Sequence, residues 1–246
     1  MVWLDLDDTL FDHSYSVGKG LERIQQDYPA FLSHPVPELV RLYNVALNDV
    51  YPDFLSGAID FPEMRRQKFE RFCQKAGVSK SEAPDAATFH RIYDEAYNAH
   101  RRATPGSIEG VQRLKEAGLP VGVLTNGVRR SQEEKLKIIG LESLIPALLL
   151  SEEAGAAKPD PRIFEWALNR TGMAAAEVIM IGDNPVNDIY GAQNAGIRAI
   201  YYDPSAAART FSTALGEVPV MTDWSQLPEL LGNASDVSQP AEVASS

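Results

Sequence analysis

Short apolar runs, each leading into polar residues or a helical pattern, recur near the start of the chain and again after Pro120. Near-continuous apolar runs of this length are typical of strands in a parallel sheet that is covered on both faces. Helical patterns alternate with the runs, which favours a doubly wound, Rossmann-like α/β core. The predicted strands are Val2–Asp7, Val121–Thr125, Ala147–Leu150, Val178–Gly182, Arg198–Tyr202 and Val218–Met221.

Two of the predicted helices carry sequence signals at their ends. Ser131-Gln-Glu-Glu134 matches a capping box, in which Ser131 would be the N-cap, and Gly140 stands where this helix should stop. Pro161 suits the first turn of a second helix, which the pattern continues to Gly172. Both helices follow predicted strands, as the alternation requires.

Residues 14–102 show a different pattern, because their apolar positions recur at helical spacing. Asp60 and Glu63 supply helix-start chemistry, and Gly77 supplies a stop. We therefore predict a small all-helical domain that is inserted after the first strand. The predicted organisation is an α/β core of residues 1–13 and 103–232, a helical insertion over residues 14–102, and a disordered tail over residues 233–246.

Composition narrows the function classes. The 246 residues carry a net charge of −11, which argues against a nucleic-acid-binding face because such a face needs clustered basic residues. Cys73 is the only cysteine, so no intramolecular disulfide can form and a reducing compartment fits. No run approaches the ~20 apolar residues of a membrane helix, and the N-terminus lacks a signal-peptide pattern. We expect a cytoplasmic monomer or homodimer without membrane or nucleic-acid-polymer partners.

The first predicted strand ends in three carboxylates, Asp5, Asp7 and Asp8. At ~4 Å and an effective dielectric constant of ~20, two like charges repel each other by ~4 kcal/mol. A cation could offset that repulsion, and hard divalent ions prefer oxygen ligands. The alternative is an acidic turn that caps a following helix, which carboxylates also favour. The segment alone leaves both interpretations open.

Further polar clusters follow the other predicted strands. Taken alone, each has an ordinary interpretation as a turn, a solvated lysine or a helix cap. Ligands of a doubly wound sheet bind outside the carboxyl ends of its strands, so these clusters converge with the first on one site if the fold is correct. The clusters are Thr125-Asn126-Gly127, Lys158-Pro159, and Gly182-Asp183-Asn184 with Asp188 one turn further.

Together these motifs resemble those of the haloacid dehalogenase superfamily of aspartate-nucleophile hydrolases. That family combines a DxDxT-type motif, a Thr or Ser motif, a lysine motif and an acidic motif, and the matches run from Asp5 to about Tyr202. The helical insertion is similar to the small caps of the family. Within the superfamily, the chain looks most like the small-phosphatase branch with its pyrimidine 5′-nucleotidase-like members. The matching residues are Asp5-Leu-Asp7-Asp8-Thr9, Thr125-Asn126, Lys158, and Asp183 through Asp188.

The resemblance implies roles for residues of the first two motifs, although it assigns none to Asp8. Asp5 would attack phosphorus and form an aspartyl-phosphate. Asp7 would protonate the leaving oxygen and then take a proton from the hydrolytic water. A haloacid dehalogenase protonates no leaving oxygen, so an acid at Asp7 favours phosphoryl transfer. Thr9 would orient the loop after Asp5, and Thr125 with the main-chain amide of Asn126 would hold the transferring oxygens.

The resemblance also implies Mg²⁺ as the cofactor, because a phosphate dianion and a carboxylate nucleophile repel each other. The protein ligands of the ion would be Asp5, the main-chain carbonyl of Asp7, and Asp183. Lys158 would pair with Asp5 and with phosphate as a fixed cation. Asp188 would orient Lys158 or a metal-bound water from behind.

From the residues and this resemblance we expect a Mg²⁺-dependent phosphatase that acts on a small phosphorylated metabolite, first of all a nucleoside monophosphate. The cap would close over the pocket and select the substrate. One alternative is a sugar phosphomutase of the same superfamily, which shares the nucleophile and the acid. Another is a non-catalytic member that binds a phosphate ligand, but the intact acidic and lysine motifs argue against it.

Overall fold

A seven-stranded sheet forms the centre of the α/β part of the chain. In the computed structural model, which describes residues 1–232, the strands follow the order β3-β2-β1-β4-β5-β7-β6. The predicted tail of residues 233–246 lies outside the described residues. The strands are β1 (Val2–Leu4), β2 (Val121–Thr125), β3 (Ala147–Leu150), β4 (Ile179–Gly182), β5 (Arg198–Tyr202), β6 (Thr210–Thr213) and β7 (Gly216–Met221).

Helices surround the sheet and also form a second compact unit. Three short 3-10 helices, Pro29–Ser33, Ala175–Glu177 and Trp224–Gln226, and one π-helical turn, Pro185–Tyr190, complete the regular structure of residues 1–232. The α-helices are α1 (His13–Asp27), α2 (Val36–Asn48), α3 (Tyr51–Leu55), α4 (Phe61–Lys75), α5 (Ala86–Ala99), α6 (Ser107–Glu116), α7 (Arg129–Ile138), α8 (Ser151–Ala154), α9 (Pro161–Thr171), α10 (Gly191–Asn194) and α11 (Leu227–Gly232).

The strand β1 occupies the middle of the sheet, between β2 and β4, and runs parallel to both. Leu4 pairs with Val123 on one side and with Ile181 on the other. Burial of a large apolar side chain stabilises a fold by ~1.5–3 kcal/mol, and Val2, Trp3 and Leu4 are all buried. Burial therefore holds this three-residue strand in place. Because the chain continues to β2 on one side of β1 and to β4 on the other, the strand order switches at β1, where ligands of such sheets bind.

The doubly wound fold is confirmed, and the two largest differences from the predicted strands concern β1 and β6. β1 ends at Leu4 rather than Asp7, because the carbonyl of Leu6 accepts hydrogen bonds from the amides of Leu10 (2.9 Å) and Phe11 (2.8 Å) and the chain turns there. The edge strand β6 was not predicted, and it runs antiparallel to β7. Its four residues are only exposed or half-buried, so they lack the apolar run that marks the other strands.

The helix ends show which sequence signals were correct. Asp160 accepts a hydrogen bond from the amide of Arg162 (2.9 Å) before α9, which ends against Gly172 at a φ of +67°. The capping box in α7 was wrong. That helix begins at Arg129, because the carbonyl of Val128 already accepts from the amide of Ser131 at 3.1 Å, so Ser131 lies inside the first turn.

Residues 12–102 form the second compact unit, and every α-helix within them belongs to the run α1 to α5. As predicted, Asp60 accepts from the amide of Glu63 (2.9 Å) at the start of α4. The core of this unit includes six buried aromatic rings, and the ring of Phe72 stacks on Phe31 at 5.5 Å and meets Tyr43 edge-on at 5.2 Å. No helix within residues 1–232 is long and apolar enough to cross a bilayer.

Candidate active site

The loop after β1 carries the first motif out of the sheet and turns back at once. The amide of Asp5 donates to the carbonyl of Ile181 at 2.9 Å, so Asp5 still follows the edge of β4. Asp8 adopts a φ of +63°, the left-handed region that Asp tolerates better than most residues. The hydroxyl of Thr104 donates to the carbonyl of Thr9 at 2.5 Å and so fixes the loop from behind. Asp5 and Asp7 therefore belong to a tightly held segment.

Lys158 is the charged centre of the site. Its Nζ donates to Oδ1 of Asp5 at 2.5 Å, to Oδ1 of Asp188 at 2.5 Å and to the carbonyl of Leu124 at 2.9 Å. These bonds use all three protons of the ammonium group. Its side chain is only 2% exposed, and a buried charge persists only when it is paired. The interpretation of Lys158 as a solvated lysine is therefore wrong.

Burial sets the protonation preferences of the two central groups. It raises the pKa of Asp5 to about 7, although the ammonium group of Lys158 works in the opposite direction. Burial alone would lower the pKa of Lys158, but the carboxylates of Asp188 and Asp5 outweigh it and raise that pKa above its ordinary value. Lys158 is therefore a permanent cation, whereas Asp5 depends on its surroundings to stay ionised.

Asp188 supports Lys158 from the π-helical turn after β4. Its second oxygen, Oδ2, accepts from the amide of Asn184 at 3.0 Å, and the residue is fully buried. A Cβ atom at position 182 would lie 2.3 Å from this Oδ2, so Gly182 is the residue that leaves room for Asp188. The glycine that ends β4 is thus required by the packing of the site.

Asp183 is joined to the first loop through Thr9. The hydroxyl of Thr9 accepts from the amide of Asp183 at 3.1 Å and donates to its Oδ1 at 3.3 Å. Burial raises the pKa of Asp183 well above its ordinary value, and the nearby carboxylates of Asp5 and Asp188 raise it further. Thr9 therefore connects the loop after β1 to the end of β4, as an orienting residue would.

The carboxylates offer a cluster of oxygen ligands for a cation. One oxygen from each of Asp5, Asp183 and Asp188 lies within 4.8 Å of the others. Among these described groups, three carboxylates face the single ammonium group of Lys158, so a divalent ion would balance the charge. Hard oxygen donors are the ligands that Mg²⁺ prefers. The residues therefore fit Mg²⁺, and the side chain of Asp7 is not part of this cluster.

The second motif is tied to the third through a side chain. Nδ2 of Asn126 donates to the carbonyl of Lys158 at 3.0 Å, and its Oδ1 accepts from the amide of Lys158 at 2.8 Å. This two-way clamp positions the lysine backbone against the end of β2. The sequence pointed only to the main-chain amide of Asn126, so the function of the side chain was missed.

Two further residues near the motifs were missed, and both come from α7. Nε2 of Gln132 donates to Oγ1 of Thr125 at 3.1 Å, and Nζ of Lys135 donates to both carboxylate oxygens of Asp7 at 2.7 Å. Both side chains are buried. They stand in a highly charged stretch that suggests a solvated helix face. The available signal was the spacing of Gln132 to Leu136 and Ile139, which places Gln132 on the apolar face of the helix.

The structure brings the predicted site residues to the carboxyl ends of β1, β2 and β4. Asp5, Lys158 and Asp188 form one hydrogen-bonded group, and Thr9 and Asp183 adjoin it. Thr125 and Asn126 lie at the end of β2. Thr125 contacts Gln132 of α7, and Asn126 contacts the backbone of Lys158. Asp7 is held separately by Lys135. Chemically, the arrangement supplies a buried carboxylate beside a fixed cation, oxygen atoms that could hold a metal, and a second, more exposed carboxylate.

Comparison with known proteins identifies the family of the chain and several relatives. A family model described as haloacid dehalogenase-like hydrolase matches residues 2–202 of the chain. The chain is 39% identical over 142 residues to the phosphoserine phosphatase of Thermus thermophilus, a region that covers 56% of this chain and 54% of that protein. The chain therefore spans about half the length of this relative.

Two other comparisons cover most of the chain. It is 27% identical over 197 residues to the pyrimidine 5′-nucleotidase YjjG of Escherichia coli, which covers 80% of this chain and 82% of that protein. The solved structure of the L-2-haloacid dehalogenase from Xanthobacter autotrophicus matches with a TM-score of 0.70 at 19% identity and covers 94% of this chain and 97% of that one. At this identity the likeness shows the fold alone.

Proposed function

The chain belongs to the haloacid dehalogenase-like hydrolase family, and from that premise we propose that it is a Mg²⁺-dependent phosphatase of small phosphorylated metabolites. The observation that carries the proposal is the buried pair of Asp5 and Lys158 at the switch point of the sheet. A carboxylate held there by a fixed cation is suited to attack an electrophilic phosphorus. The reaction would proceed through an aspartyl-phosphate intermediate.

In the first step, an oxygen of Asp5 attacks phosphorus and forms a new P–O bond, while the bond to the leaving oxygen breaks. Asp7 gives its proton to that leaving oxygen. In the second step, Asp7 takes a proton from water, whose oxygen displaces the aspartyl group and releases orthophosphate. Asp5 and Asp7 then have the forms in which they began.

The other residues of the site hold charge in place while these bonds change. Lys158 faces Asp5 and offers a compact positive charge to the phosphoryl oxygens. Asp5, the carbonyl of Asp7 and Asp183 would hold Mg²⁺, which when bound offsets the repulsion between the phosphate dianion and the nucleophile. The hydroxyl of Thr125 would contact the transferring oxygens.

The presence of Asp7 favours phosphate hydrolysis over dehalogenation, although dehalogenases share the fold. Halide leaves without a proton, so a carboxylic acid next to the nucleophile has a task only when the leaving group is an oxygen. For the substrate we propose a nucleoside monophosphate first, in keeping with the name of the YjjG relative, which aligns along 80% of this chain. A phosphorylated amino acid is the second candidate, from the name of the Thermus relative.

The test is hydrolysis of p-nitrophenyl phosphate by the purified chain, with added Mg²⁺ and with EDTA. We expect p-nitrophenol and orthophosphate in equal amounts with Mg²⁺ and a loss of turnover with EDTA. A panel of nucleoside, sugar and amino-acid monophosphates then ranks the substrates by kcat/KM. No turnover of any ester at micromolar enzyme would contradict the proposal, and transfer of phosphate within a sugar without release of orthophosphate would indicate a mutase.

A further inference from the structure

Helix α7 buries a lysine beside the carboxylate that the proposed reaction uses as acid and base. Lys135 is 9% exposed, while Glu133, Glu134 and Lys137 on the same helix are exposed. A lysine gives up favourable hydration when it is buried, so its partner matters more than it would at the surface. Its Nζ lies 2.7 Å from both oxygens of Asp7 and 5.5 Å from the ring centre of Phe11.

The contact restricts the carboxylate of Asp7 at a position that is open to solvent in part. The side chain of Asp7 is 30% exposed, whereas that of Lys135 is 11% exposed. An exposed carboxylate can rotate about its side-chain torsions at little cost, but rotation here would break at least one of two charge-assisted hydrogen bonds. The ammonium group therefore selects the orientation of Asp7.

We propose that Lys135 is a positioning residue, which holds the carboxylate of Asp7 in the orientation that serves the leaving oxygen. This inference rests on the proposed phosphatase function. As the bond from phosphorus to the leaving oxygen breaks, Asp7 passes its proton to that oxygen, and the carboxylate that results is the form that accepts both hydrogen bonds from Lys135. Lys135 itself gains and loses no proton, and it acts on the reaction only through Asp7.

The proposal makes a distinction between substrates that differ only in the leaving oxygen. Phenolate is a strong base and needs a proton as it leaves, whereas p-nitrophenolate leaves readily without one. Loss of a positioned acid should therefore slow phenyl phosphate far more than p-nitrophenyl phosphate. A general disturbance of the site, by contrast, should slow both esters equally. The comparison thus reports on proton transfer to the leaving oxygen, which is the task proposed for Asp7.

The experiment measures single-turnover release of phenol and of p-nitrophenol, which isolates the first chemical step. For Lys135→Met we expect the rate with phenyl phosphate to fall by about 100-fold, within the range of general acid catalysis, and the rate with p-nitrophenyl phosphate by less than about threefold. Lys135→Arg, which keeps a cation in reach of Asp7, should recover much of the loss. Lys137→Met, from the exposed face of the same helix, is the matched control and should leave both rates unchanged.

The outcomes separate the two proposals. Wild-type turnover of both esters that is lost in Asp5→Asn supports the phosphatase, whatever Lys135 does. Equal losses for both esters in Lys135→Met, or no loss for either, would overturn the positioning function while leaving the phosphatase intact. Circular dichroism and the thermal midpoint establish whether each variant is folded. If Lys135→Met does not fold, the ratio of the two rates in Lys135→Arg tests the positioning function instead.

Discussion

In the helical unit of residues 12–102 the ion pairs lie at the surface, whereas in the α/β part the central ion pair is buried. Arg66 and Glu63 are 48% and 36% exposed, but Lys158 and Asp188 are 2% and 1% exposed. The helical unit buries aromatic rings in its core, and the α/β part buries three charges beside a sheet edge. Paired charges are expensive to remove from water, so a protein keeps them inside where they serve chemistry. The comparison thus separates exposed ion pairs, which contribute little to stability, from the buried pair that the proposed chemistry uses.

The largest effect should come from the nucleophile itself. Asp5→Asn keeps the shape of the side chain but removes the attacking oxygen anion, so we expect turnover of p-nitrophenyl phosphate to fall below detection. Lys158 retains Asp188 and the carbonyl of Leu124, which should preserve the fold in circular dichroism. Asp53→Asn, at an exposed position of the helical unit, is the control and should leave turnover unchanged. Residual activity of the Asp5 variant would assign the nucleophile elsewhere.

Removal of the buried cation should affect stability as well as activity. Lys158→Met leaves two buried carboxylates without their partner, and such losses cost about 3–5 kcal/mol in the free energy of unfolding. Urea denaturation in the presence of EDTA measures this loss without a metal to compensate. Glu38→Gln breaks the exposed pair with Arg41 in the helical unit and should leave the urea midpoint unchanged. Similar midpoints for the two variants would remove the contrast between the units.

Two glycine substitutions test whether the α/β part and the helical unit also differ in how tightly they are packed around a glycine. Gly182→Ala places a Cβ atom 2.3 Å from Oδ2 of Asp188, so we expect a loss of about 1–3 kcal/mol and a strong decrease in kcat. In α1 of the helical unit, a Cβ atom at Gly18 would have its nearest neighbour at an ordinary 3.6 Å. Gly18→Ala should be neutral or stabilise by up to about 1 kcal/mol. Chemical denaturation and steady-state kinetics decide both cases.

A smaller and pH-dependent effect is expected in the helical unit. Burial, with Arg65 nearby, lowers the pKa of His90 from 6.5 to about 4. The folded state therefore holds His90 neutral where the unfolded state binds a proton, so stability is present above pH 6.5 and is lost as the pH falls from 6.5 towards 4. His90→Phe should flatten this part of the urea midpoint profile. An unchanged slope would show that His90 titrates normally.

Much of the fold was predictable because burial imposes a pattern on sequence. Strands β2 to β5 appear as apolar runs because both faces of the sheet are covered. The ends of α9 were predictable because Pro161 marks its first turn and Gly172 follows its last residue. The edge strand β6 was not predicted because it has only one neighbouring strand and its residues are exposed or half-buried, so it needs no apolar run. The capping box in α7 failed because a matching tetrapeptide does not determine where the backbone turns.

The candidate site was predictable in part for a related reason. Polar residues after buried strands are conspicuous, which is why Asp5, Lys158 and Asp183 were identified together. Gln132 and Lys135 were not, because a charged helix conceals buried polar residues among solvated ones. Their partners lie 7 and 128 positions away in the sequence, and only the three-dimensional structure brings them into contact. The catalytic function of each residue stays a prediction until the variants are measured.

The central position of β1 has a consequence for the order of events during synthesis. This strand is synthesised before its neighbours β2 and β4, which begin only at residues 121 and 179. At ~5–20 residues per second, β1 waits roughly 10–35 s for β4. All the core residues of the helical unit lie between Val17 and Tyr93, so that core can close in the meantime. The segment that carries Asp5 is therefore made well before the strands on either side of it and must wait for them before its position in the sheet is complete.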